Sequence, residues 1–135
     1  MIRKDIEEEV KGCWQLYNKV MMSNVDDKPV AINIIQAYAP TTDHTDEAID
    51  EFYEQLEKVR RQCKPGEVTI VMGDMNAKVG EGRSGGVVGE FGLGERNERG
   101  NRWVEWCESW NQVIINTSFR PHHRYLNTWK SPGDR

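Results

Sequence analysis

An aspartate and an asparagine stand one residue apart at the end of an apolar run, in VTIVMGDMNAKVG, residues 68 to 80. An ionised carboxylate can orient or deprotonate water. A primary amide can donate a hydrogen bond to a phosphoryl oxygen as charge builds there. Asp74 and Asn76 together therefore suit hydrolysis of a phosphate ester. Side chains two apart on an extended backbone face the same way, so the pair is expected to point together past the strand's end. Ligand crevices of α/β folds often lie at the carboxyl ends of strands. The same pair also suits a plain turn after a strand, since both residue types favour turns. Spacing by itself leaves both readings open.

The elements that must position this pair can be read along the chain. VTIVMG is apolar, short and flanked by glycine and polar residues, which predicts a buried interior strand over 67–72. Residues 19–25 and 30–38 are apolar and β-rich, and NVDDKP between them carries turn residues, so they form a hairpin. The second hairpin strand ends at Pro40, and APTTDHT is a loop. Residues 46–63 show the clearest helical spacing, with Ile49, Phe52, Tyr53, Leu56, Val59 and Cys63 on one face. Thr45 is its expected N-cap, and Pro65 and Gly66 stop it. Residues 80–100 hold much of the glycine and read as a long loop. A second helix is expected over 98–110, with Trp103, Cys107 and Trp110 on one face. QVIINTSF and YLNTW read as two further strands. The order predicts a mixed α/β fold.

The chain has 135 residues, of which 37% are hydrophobic and 30% charged, a globular composition with the length of one domain. Its net charge of −4 argues against tight nucleic-acid binding by this chain alone, because phosphate contacts come from Lys and Arg. Three cysteines at spacings that match no zinc or redox motif read as reduced, mostly buried thiols of a nuclear or cytoplasmic protein. No stretch has the length and apolarity of a membrane span. The run GEGRSG, Gly80 to Gly85, satisfies a dinucleotide-binding spacing but lacks the strand before it and the helix after it.

IVMGDMNAKVG resembles the Gly-Asp-x-Asn motif of the endonuclease/exonuclease/phosphatase superfamily, and INIIQAYAP resembles its tyrosine-bearing strand. FGLGERNERGNRWVEWCE and YLNTWKSPGDR are more specific. They resemble the endonuclease domain of RTE-clade non-LTR retrotransposons, a segment also found in craniofacial development protein 2-like proteins. The resemblance runs through essentially the whole chain. It implies the middle portion of a DNase I-like, two-sheet α/β sandwich, a single partial domain over residues 1–135. It implies a Mg²⁺-dependent DNA endonuclease when the domain is complete. Tyr38 matches the tyrosine that approaches the scissile phosphate, Asp74 the aspartate that aligns water, and Asn76 the asparagine that contacts the phosphate. Thr128 and Trp129 match, loosely, a segment lining the DNA-facing edge.

The resemblance also implies groups with no counterpart here. The superfamily's metal-binding glutamate and its Ser-Asp-His element match no segment. Glu7, Glu8 and Glu9 read as a solvated face. His44, His122 and His123 read as surface residues. The chain alone is therefore expected to be inactive and to bind no Mg²⁺ tightly. A sandwich without its outer strands leaves sheet edges uncovered, so self-association is expected. A domesticated, non-catalytic module is the second reading. A phosphatase of the same superfamily is a third, disfavoured by the FGLGERNERG loop.

Overall fold

A computed structural model of the chain describes residues 10–17, 19–26, 29–41 and 43–120. It is mixed α/β and divides into two compact units, Met1–Asn76 and Ala77–Arg135.

The first unit holds four strands, β1 (Val10–Tyr17), β2 (Val20–Val25), β3 (Ile32–Tyr38) and β4 (Val68–Asp74), with helix α1 (Asp46–Arg60) between the last two. The sheet order is β1-β2-β3-β4, antiparallel except for the parallel pair β3 and β4. The expected hairpin is present, with Val20 opposite Ala37 and Val25 opposite Ile32. β1, which the apolar pattern did not reveal, pairs with β2 through two register shifts.

α1 starts at Thr45, whose hydroxyl accepts from the Ala48 N–H at 3.4 Å. Asp46 and Glu47 in the first turn and Lys58 and Arg60 in the last suit the helix dipole. Its buried residues Ile49, Phe52, Leu56 and Val59 recur at helical spacing. Val20, Met22, Ile35 and Ala37 are buried on the sheet. Cross-strand pairing puts all four on one face.

β4 corrects one expectation. It is an edge strand among the described strands, and its outward row is open: Val68, Ile70 and Met72 are 47%, 45% and 49% exposed. An apolar run shows that a strand can be buried on both faces. Only a second layer makes it so, and α1 covers one face of this sheet.

The second unit holds helix α2 (Glu98–Ser109) and a short 3-10 turn, Ile115–Thr117. QVIINTSF is thus not a strand. Ile114 makes an isolated bridge to Val88, and Thr117 is buried, donating its hydroxyl to the Ile114 carbonyl at 2.6 Å. Val87, Val88, Trp103, Val104, Trp106 and Cys107 are buried, and Trp103 stacks on Trp106 with centroids 5.1 Å apart. YLNTW, with Thr128 and Trp129, lies outside the described residues, as do Glu7–Glu9, His122 and His123. No helix among the described residues is long and apolar enough to cross a membrane.

Candidate functional site

Two of the chosen residues meet where β3 and β4 end. The strands run parallel, and the register makes Tyr38 and Asp74 partners. Their carboxyl ends therefore lie side by side. Tyr38 is 53% exposed and Asp74 is exposed as well. A phenol and a carboxylate on adjacent strands, both open to solvent, can hold a phosphate oxygen and a water together.

The glycine of Gly-Asp-x-Asn has a local reason. Gly73 has φ +132, and a Cβ there would overlap the Ala37 carbonyl oxygen of the neighbouring strand. Only glycine lets β4 approach β3 so closely at this point. The chain then leaves the extended region. Asn76 sits at φ 45, a left-handed conformation that asparagine tolerates. Period-two spacing accordingly does not govern the direction of Asn76, contrary to the expectation from an extended backbone. The alternative of a turn describes this segment better: the Asn76 N–H donates to Asp74 Oδ1 at 2.9 Å.

Asn76 is also tied to the other strand. Its Nδ2 donates to the Ala39 carbonyl oxygen at 2.7 Å. The Ala39 N–H in turn donates to the Asp74 carbonyl at 2.8 Å. Ala39 and Pro40, which flank the bonded carbonyl, are buried.

Sequence reasoning missed the neighbours of Tyr38. A shallow cavity of about 200 Å³ is lined by Tyr17, Lys19, Met21, Gln36 and Tyr38, among others. Lys19 brings a cation to that cavity, and its carbonyl accepts from the Tyr38 N–H at 3.0 Å. No sequence signal marked Lys19, because its place depends on the β1–β2 connection. A second cavity, about 240 Å³ and lined by Arg83, Glu90 and Phe91 among others, contains none of the chosen residues. Arg83 and Glu90 are paired there at 3.3 Å.

The Mg²⁺ implied by the resemblance does not fit the described residues. Among them no three His, Cys, Asp or Glu side chains converge to hold a metal ion. Asp74 is one carboxylate with one oxygen engaged by Asn76. His44 is exposed and shares a 2.9 Å hydrogen bond with the Thr41 hydroxyl. Cys63 and Cys107 are free and buried, as expected of structural thiols. Burial pushes the Cys63 thiol up and the Cys107 thiol up to about 12, which makes both poor nucleophiles and poor metal ligands. The Cys13 side chain is outside the described set.

Over all its 135 residues the chain is 35% identical to Craniofacial development protein 2 of Bos taurus. It is 33% identical over the same 135 residues to the protein of that name from Tragulus javanicus. It is homologous to them, and it spans about a quarter of their length, 23% and 24%. No family model matches the chain. No solved structure matches it.

Proposed function

We propose that these residues are the phosphate-facing part of a retrotransposon-derived endonuclease domain that hydrolyses DNA phosphodiesters when complete. The observation that carries this reading is the register pairing of Tyr38 with Asp74 at the carboxyl ends of two parallel strands. In this reading the Tyr38 hydroxyl donates to a non-bridging phosphate oxygen. The Asp74 carboxylate accepts a hydrogen bond from water and aligns it for attack on phosphorus. Lys19, on the cavity beside Tyr38, adds positive charge for the DNA backbone. The resemblance assigns Thr128 and Trp129 a part in DNA contact.

The architecture proposed is the two-sheet α/β sandwich, with residues 1–135 as part of one domain. What supports it is the bare apolar row Val68, Ile70 and Met72, a surface suited to a second layer. Mg²⁺ would belong to the complete domain. Buried reduced thiols suit the nucleus or cytoplasm. A second reading, a domesticated module without catalysis, is favoured by one observation. The chain matches, end to end, part of a protein named for development and not for a nuclease.

The test is nicking of supercoiled and abasic-site DNA. The reading frame that carries these residues is expected to nick with Mg²⁺, and Asp74→Ala to lower the rate by about 100-fold or more. The 135-residue chain alone is expected to show none above background. An intact frame that neither nicks nor binds DNA would leave only the non-catalytic reading. Mg²⁺-dependent nicking by the short chain, lost in Asp74→Ala, would mean that a partner chain or a discounted carboxylate completes the site.

A further inference from the structure

The backbone ladder between β3 and β4 ends in an exchange. In a parallel ladder one residue donates to the strand beside it and accepts from two residues further along that strand. Ala39 donates to the Asp74 carbonyl at 2.8 Å. The regular continuation is the Asn76 backbone N–H donating to the Ala39 carbonyl. That bond is not made. The Asn76 side-chain Nδ2 occupies the place, at 2.7 Å, and the displaced backbone N–H donates to Asp74 Oδ1 at 2.9 Å. The left-handed φ of 45 at Asn76 accompanies the swap.

From this geometry we infer that Asn76 is a positioning residue, which fixes Tyr38 and Asp74 side by side by replacing a backbone rung with its own amide. The inference rests on the reading of Tyr38 and Asp74 as the phosphate-facing pair. It adds a role to the one that the resemblance implies for Asn76. Ala39 is 3% exposed and the next residue, Pro40, is fully buried, so the Ala39 carbonyl has little access to water. Turning the Nδ2 group away from Ala39 would orphan a buried acceptor, which native structures rarely tolerate, so the rung holds the amide in place while its second N–H remains open to a ligand. The side chain requirement is specific. Aspartate can adopt the same backbone but offers no donor at pH 7, and glycine adopts it with no side chain at all. Either change releases the rung, and with it the reason for the Asn76 N–H to hold the Asp74 carboxylate.

Two measurements test this. In the 135-residue chain, NMR is expected to detect scalar coupling across the hydrogen bond from Asn76 Nδ2 to the Ala39 carbonyl carbon. Asn76→Gly, which keeps the left-handed backbone, is expected to move both the Ala39 carbonyl and Asp74 carboxyl carbon resonances, and Asn76→Asp to do likewise. In the intact reading frame, Asn76→Gly is expected to lower kcat about ten- to hundredfold by misplacing the pair. KM should then change less than kcat, because the loss falls on the placement of the reacting groups. A raised KM with kcat retained would overturn the inference in favour of a phosphate contact alone. So would absence of the coupling together with unmoved Ala39 and Asp74 resonances in Asn76→Gly. A wild-type frame without nuclease activity counts against the proposed function instead, and the NMR arm still decides the rung.

Discussion

The two units bury their apolar side chains by different routes. In Met1–Asn76 the route is a layer: α1 covers one face of a sheet, and Ile35, Leu56 and Val59 reach full burial. The other face keeps Met21, Ile70 and Met72 nearly half exposed. In Ala77–Arg135 regular structure is scarce before α2, and single residues hold the chain. Asn97 Oδ1 accepts from the Gly100 N–H at 2.8 Å and from the Lys78 N–H at 3.1 Å. Arg96 Nε donates to the Val79 carbonyl at 2.7 Å. A Cβ on Gly100 would overlap the Lys78 carbonyl, and one on Gly92 the Gly80 carbonyl. A layer tolerates many apolar side chains, whereas a loop held this way needs particular residues at particular places. The FGLGERNERG segment, so specific in sequence, thus has a structural explanation: its glycines, arginine and asparagine fold the unit's own backbone.

Substitutions distinguish the two routes. The largest effect is expected in the covered layer. Leu56→Ala removes a fully buried side chain and should destabilise the chain by about 2–5 kcal/mol, read from the urea midpoint. Next comes the loop. Gly100→Ala adds one methyl group against a backbone carbonyl and should cost about 1–3 kcal/mol. A neutral Gly100→Ala would show that the second unit adapts as freely as a surface.

The open face should respond least in stability and most in association. Ile70→Thr, at a side chain 45% exposed, should change stability by less than about 1 kcal/mol. Sedimentation velocity should show wild-type chain self-associating as concentration rises, and Ile70→Thr with Met72→Thr remaining closer to monomer. A strictly monomeric wild type would remove the argument that the bare face seeks cover.

A pH dependence is also expected in the second unit. Cys107 is raised from an ordinary 9.0 to about 12 by burial, so the folded chain keeps a proton that the unfolded chain loses. The unfolded state therefore binds fewer protons between those values, and stability falls as pH rises through that window. Below about pH 9 the contribution is fully present. Denaturant midpoints taken from pH 8 to 10.5 should decline more steeply in wild type than in Cys107→Ala.

What the sequence determined by itself was local. Helical spacing and an N-cap placed α1 and α2 to within a few residues, because an amphipathic helix writes its buried face into its own period. The hairpin and the strand leading to Asp74 were legible from β-rich runs bounded by turn residues. Gly73-Asp74-x-Asn76 was legible as a place where an apolar strand meets polar chemistry. β1 was not, because VKGCWQLY lacks alternation and its pairing with β2 is set by the neighbour. The exposure of Val68, Ile70 and Met72 was not, since an apolar run is the same string whether or not a second layer packs on it. Lys19 beside Tyr38 was not, because a turn between two strands brings it there. Only the tertiary structure decided where the Asn76 amide goes. The parallel register sets the Ala39 carbonyl within 2.7 Å of Nδ2, and a buried acceptor next to a proline takes the nearest donor.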